Sequence, residues 1–202
     1  MTSRSTIILG ALFGASSLLF SPPILAQDTQ PSALELMLAP GPRTEALAQR
    51  VGRWAVTMTF RPTPEAEPVI DDDIIADRTM IGGIYMQEIM RPSDGSATPN
   101  FRRIAYLSWN RLNDRYDHVS LDTRYPRIMD YTNFGVDGSN EITFYIERFV
   151  DPGFGPELEG RGMRMRQVVS FDGPDTETVR QYWTPPGGGE WLVVEYRYRR
   201  GG

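Results

Sequence analysis

The sequence predicts an all-β fold: an antiparallel up-and-down β-barrel of about ten strands with a short N-terminal helix. Three observations carry that expectation. Apolar residues recur at alternate positions in segments of roughly 6–10 residues, the period of a strand and not of a helix. The segments are separated by short runs of Gly, Pro, Asn and Asp, so successive strands turn back on one another and pair as antiparallel neighbours. Finally, Gly52-Arg53-Trp54 leads from a brief helical stretch at 44–51 into the first alternating run, Trp54, Val56, Met58 and Phe60.

The first 26 residues are expected to be an export signal. Arg4 supplies the positive n-region, 7–20 is apolar, Pro22-Pro23 stops the helix, and cleavage is expected after Ala26, giving the segment 1–26. A membrane anchor is the competing reading, and it is disfavoured because the apolar run falls short of the ~20 residues that a span needs. Residues 27–43 form a Pro-rich, charge-poor arm with one helix-like piece at 33–38. The barrel domain then spans 44–202, with Thr44 as the helix N-cap and Leu47 and Val51 one turn apart.

Strands are expected at 54–60, 69–79, 84–91, 101–110, 116–122, 127–134, 141–149, 162–171, 177–184 and 190–199. An antiparallel sheet of that size removes its edges by closing. The longest irregular connection, 150–161, is either a lid over one end or a plain solvated loop.

Alternation assigns inward faces: Trp54, Val56, Met58 and Phe60; Ile84, Met86 and Met90; Ile142, Phe144 and Ile146; Met163, Met165, Val169 and Phe171; Val179 and Trp183. Methionines among aromatics suit a cavity that adapts to an apolar or amphipathic ligand; the alternative is a barrel filled by its own side chains. Glu88, Gln167 and Gln181 fall on the same faces, where they either pair with one another or orient a ligand. The ligand-cavity candidates are thus Trp54, Met58, Met86, Glu88, Phe144, Met165, Gln167, Gln181 and Trp183.

The Gly52–Trp54 step resembles the entry to lipocalin-type (calycin) barrels. That resemblance implies a helix plugging one end, structural roles for Gly52 and Trp54, and Arg197 or Arg199 of the last strand stacked on Trp54. The Arg-x-Tyr carboxylate clamp of fatty-acid-binding members is not reproduced in Glu195-Tyr196-Arg197-Tyr198-Arg199-Arg200. The domain from 44 to 200 also resembles the bacterial family called domain of unknown function 1579. The matching motifs are Val51-Gly52-Arg53-Trp54, Met80-Ile81-Gly82-Gly83-Ile84-Tyr85, Ser108-Trp109-Asn110 with Tyr116-Asp117-His118-Val119, and Glu195-Tyr196-Arg197. Ser108-Trp109-Asn110 departs from the Gly-Tyr-Asp type of turn expected there. The resemblance implies a fold and no catalytic residue.

His118 is the sole histidine of the 202 residues, and alternation sets it on one strand face with Tyr116, Ser120 and Asp122. A histidine beside a carboxylate serves as a general base, whereas the same pattern arises on any exposed strand face. Heme is not implied, because the similar heme-binding barrels place their histidine close to the C-terminus. Asp71-Asp72-Asp73 after Glu65 and Glu67 lacks the spacing of a calcium loop and reads as a solvated acidic edge. Arg161, Arg164, Arg166 and Arg180 read as surface charge.

The chain has no cysteine, which removes disulfides, thiolate metal sites and lipid acylation, and fits export to a bacterial periplasm. All 21 basic residues are arginine, and the net charge of −5 argues against nucleic acid as a partner. No cofactor or metal is expected. The expected function is noncovalent binding of a small apolar or amphipathic molecule. The alternatives are an isomerase or hydratase acting on a hydrophobic substrate in the barrel, and a filled barrel serving as a protein-interaction module.

Overall fold

In a computed structural model that describes residues 30–96, 101–135, 138, 140–150 and 158–201, the alternating segments form ten strands. They are β1 (Gly52–Phe60), β2 (Val69–Ile81), β3 (Tyr85–Pro92), β4 (Arg103–Asn110), β5 (Arg115–Asp122), β6 (Tyr125–Tyr131), β7 (Glu141–Val150), β8 (Gly162–Ser170), β9 (Thr176–Thr184) and β10 (Trp191–Arg200). Each pairs antiparallel with its sequence neighbour, save β6 with β7, and β1 pairs with β10. The result is a nearly closed up-and-down barrel. The lid expected at 150–161 and the export signal expected at 1–26 fall largely and wholly, respectively, outside the described residues.

Two short helices precede the barrel. In α1 (Ala33–Leu38) the Ser32 side chain accepts from the Glu35 N–H at 3.2 Å while the Glu35 carboxylate accepts from the Ser32 N–H at 2.7 Å, a reciprocal capping box. The next helix, α2 (Pro42–Ala48), starts earlier than the sequence suggests. Gly41 is its N-cap and Pro42, whose fixed φ suits the first turn, opens it. Thr44 is therefore inside the helix and not its cap; it is buried with Leu47. The helix lies against β4, where the Arg43 guanidinium sits 5.5 Å from the Trp109 ring.

The β2–β3 turn explains the double glycine. Gly82 and Gly83 have φ of +58° and +70°, a conformation that side-chain-bearing residues adopt only with strain. Ile84 closes this turn, half-buried, and is not the inward strand residue that alternation suggests.

Between β6 and β7 the wall is thin. The ladder there is a single bridge, Thr132 with Tyr145, each N–H donating to the other's carbonyl at 2.8 Å. Side chains take over the sealing. Buried Asn133 accepts from the Tyr116 and Gly135 N–H groups and donates to the Thr143 carbonyl at 2.9 Å, and the Tyr125 hydroxyl donates to the Val150 carbonyl at 2.7 Å. Because Asn133 turns the chain away, β6 ends at Tyr131, and Phe134, expected at its end, is exposed.

The core is continuous, from Leu47 and Trp54 through Val56, Ile74 and Met90 to Ile142, Phe144, Phe149 and Met163.

Candidate functional site

The end of the barrel nearest α2 is organised around Trp54, which is fully buried and donates its indole N–H to the Arg50 carbonyl at 3.0 Å. The cation over its ring is neither Arg197 nor Arg199. Both are exposed, because the inward parity of β10 is that of Val194, Tyr196 and Tyr198. That parity continues to Arg200, which pairs opposite Trp54 and sets its guanidinium 4.5 Å from the ring. Arg200 also donates to the Val51 and Gln49 carbonyls, both at 2.7 Å, satisfying acceptors left open where α2 ends. Gly52, at φ +129°, enters β1 beneath it; a Cβ there would stand 3.0 Å from Arg200 Nη1.

A second guanidinium, that of Arg78, lies 5.0 Å from the Trp54 ring and 4.5 Å from the Tyr198 ring. It heads a buried ionic network that alternation alone does not announce. Arg78 makes a bidentate pair with Glu177, both contacts at 2.8 Å, and donates its Nε–H to Glu88 at 2.8 Å. Glu88 is also paired with Arg103, whose Nη2 reaches the Tyr198 hydroxyl at 3.2 Å. All four charged residues are at most 6% exposed. Burial opposes the ionisation of Glu88, but the charges of Arg78 and Arg103 and their hydrogen bonds outweigh it and hold its carboxyl at about 2. Tyr198 is pushed well up by burial and by the Glu88 charge, so its hydroxyl keeps its proton.

Arg103 also lines a cavity of about 300 Å³ inside the barrel. The apolar wall is Met58, Phe60, Met129, Phe149, Met165, Trp183 and Val194; the polar groups are Arg103, Ser120, Tyr131, Gln181 and Tyr196; Asp122, Arg124 and Tyr125 complete the lining on a more exposed side. Asp122 and Arg124 neutralise each other through contacts of 2.7 and 2.9 Å.

Of the residues proposed from the sequence as cavity-lining, Met58, Met165, Gln181 and Trp183 line it. Trp54, Met86, Glu88, Phe144 and Gln167 are inward and buried but fill packed regions outside the cavity. Alternation separates inside from outside and carries no information on height along the barrel. Gln167 and Gln181 pair with each other, the Gln181 amide donating to the Gln167 carbonyl at 2.8 Å.

The face bearing Tyr116, His118, Ser120 and Asp122 is an interior one: Tyr116 and Ser120 are buried, and His118 and Asp122 half-buried. The His118 ring stacks on Tyr131 at 4.2 Å and meets Phe144 edge-on at 4.9 Å, with Nδ1 3.5 Å from the Gln167 amide nitrogen. Asp122 spends its carboxylate on Arg124, so among the described residues no carboxylate orients His118. Burial, reinforced by the Arg103 charge, pushes His118 down to about 3 and keeps the imidazole neutral. A general base needs a partner and a value near working pH; this histidine has neither.

Elsewhere, Asp71 pairs with Arg102 and Asp73 accepts from the Ser93 hydroxyl, and among the described residues no group of acids and histidines is gathered for a metal. Arg166 and Arg180 are paired with Glu190 and Glu195. No helix among the described residues is long and apolar enough to cross a membrane.

Three solved structures of distant sequence are similar to the chain. A protein of M. tuberculosis, Rv2717c, is 13% identical, with 81% of this chain and 100% of that one covered and a TM-score of 0.46. EF1p2_mFAP2b bound to DFHBI is 12% identical over 79% of this chain and 98% of that one, with a TM-score of 0.32. A redesigned β-barrel, b11L5F_LGL, is 12% identical over 79% and 96%, with a TM-score of 0.31. No curated protein matches the chain. Residues 39–200, which take in all ten strands and the helix before them, match the family described as protein of unknown function, DUF1579, and the chain belongs to that family.

Proposed function

We propose that this barrel holds a small apolar or amphipathic molecule noncovalently, as an exported protein of the bacterial periplasm. The observation that supports binding is the cavity of about 300 Å³, walled by methionine and aromatic side chains with a few polar groups in its lining. Small-molecule sites have this composition, an apolar body of contacts with a few polar groups that fix orientation, and typically occupy ~300–1,000 Å³. Water released from the Met58, Met165 and Trp183 surfaces supplies the driving force. The flexible thioethers let the wall fit more than one shape.

The cavity also argues against the filled barrel. The enzymatic alternative loses its best candidate, since His118 is unpaired with any carboxylate and held neutral by its surroundings.

Native mass spectrometry of protein purified from a periplasm, followed by denaturing spectra, tests the proposal in one sample. The expected result is a chain beginning at Gln27 that carries an added mass lost on denaturation. A bare chain that also fails to take up small apolar probes in solution refutes ligand binding, and a chain retaining residues 1–26 refutes cleavage of the signal.

A further inference from the structure

We infer that the molecule held in the cavity is uncharged and carries a hydrogen-bond acceptor, of the ketone, ester or amide carbonyl type, that receives a proton donor of Arg103. This rests on the ligand-binding reading above and narrows it to a chemical class.

The Arg103 guanidinium is only partly used by the protein. Both of its hydrogen bonds leave from Nη2, to Glu88 and to the Tyr198 hydroxyl. Nε is sealed from solvent without a partner, and Nη1 makes no bond either, although the side chain lines the cavity. The residue is 6% exposed. The guanidinium carbon stands 5.2 Å from the ring of Tyr196, and of its nitrogens Nε is the one sealed away from water without a hydrogen bond, which leaves Nη1 as the donor open to a guest. An acceptor entering the cavity takes its hydrogen bond from Nη1, which is neither bonded to a protein group nor sealed from solvent.

The charge balance decides what kind of acceptor it is. Arg78 and Arg103 are matched by Glu88 and Glu177, and at the more exposed side Arg124 is matched by Asp122. No cation among these lacks a carboxylate. A ligand carboxylate would bring an anion into a lining whose charges already cancel, and the loss of its hydration would go uncompensated. A carbonyl oxygen brings only partial negative charge and leaves that balance undisturbed. The volume, about 300 Å³, is at the lower end of small-molecule sites and calls for a small ligand.

Three probes matched in size test this: benzylacetone, a neutral ketone; hydrocinnamate, the corresponding carboxylate, at pH 8; and n-butylbenzene, with no oxygen. Titration of the mature protein by Trp fluorescence and calorimetry is expected to show benzylacetone binding at least ~10-fold more tightly than hydrocinnamate. In Arg103→Met, benzylacetone is expected to weaken by ~10-fold while n-butylbenzene stays within about threefold, as removal of one charge-assisted hydrogen bond requires. Glu88 keeps Arg78 as its partner in that variant, and the ketone-to-carboxylate ratio is read on the unaltered chain whether or not the variant folds. Hydrocinnamate binding as tightly as the ketone overturns the inference alone, as does a folded Arg103→Met that holds benzylacetone undiminished. Failure of all three probes, n-butylbenzene included, overturns this inference together with the ligand-binding reading.

Discussion

Lowering the pH from 8 to 5 is expected to cost the fold about 2 kcal/mol, with His118 as the cause. Its imidazole is held at about 3 in the folded protein against an ordinary value of 6.5. A folded value that is depressed means that the native state refuses a proton which the unfolded chain accepts. Stability is therefore fully present above 6.5 and declines as the pH falls from there toward 3. At pH 5 the unfolded histidine is one and a half units below its ordinary value while the folded one is still neutral, and at about 1.36 kcal/mol per unit this gives about 2 kcal/mol. The window is clean, because the chain has a single histidine and Glu88, the buried carboxyl held at about 2, begins to contribute only as the pH nears 4.5. Urea unfolding at pH 8, 6.5 and 5 measures the decline directly. His118→Phe keeps a ring between Tyr131 and Phe144 but cannot titrate, so its stability over the same range is expected to change by less than about 0.5 kcal/mol, the His118 contribution being gone. If the variant declines as steeply as the parent, His118 is not held neutral by the barrel and the reasoning fails.

Three other outcomes are expected. Glu88→Gln leaves Arg103 without its counter-charge and should lower the unfolding free energy by about 3–5 kcal/mol in urea; a loss under about 1 kcal/mol would mean that the network contributes little. Gly52→Ala must hold a Cβ at φ +129° and 3.0 Å from Arg200 Nη1, at a cost of about 1–3 kcal/mol, seen as a lowered thermal midpoint in calorimetry. Met165→Trp places a larger ring in the cavity space and should abolish the native-mass adduct while changing stability by no more than about 1–3 kcal/mol; an adduct that persists would locate the ligand elsewhere.

Much of the fold is legible because strand alternation and turn chemistry are local. Met86, Glu88 and Met90, or Met163, Met165 and Gln167, announce a buried face two residues at a time, and Gly82-Gly83 marks the turn between strands. Arg200 was within reach of the same logic, since Val194, Tyr196 and Tyr198 fix the parity that carries it inward. Arg78, Arg103 and Glu177 have inward parity too, two or four residues from Ala105, Val179 and Ile74. Their charge argues against burial until the partners are known, and the partners come from strands up to 99 residues away. A one-dimensional pattern cannot supply that meeting. Nor can it tell Met165, which lines the cavity, from Met86, which does not.

The pairing of β1 with β10 gives the barrel an order of assembly. Among the described residues β6 and β7, neighbours in sequence, share one bridge, while Trp54 finds its partner at Arg200, so the two ends of the chain meet at the centre of the sheet and the middle of the chain forms its edges. Hairpins from β1 to β6 and from β7 to β10 can form from local contacts as they are made, but the ladder joining them waits for the last strand. Contacts between such distant segments are the slow ones in folding. A permuted chain opened between Gly135 and Asn140, with its old ends linked, would bring strand order in the sequence into line with strand order in the wall. Its assembly would then depend on neighbouring hairpins and no longer on the encounter of two chain ends.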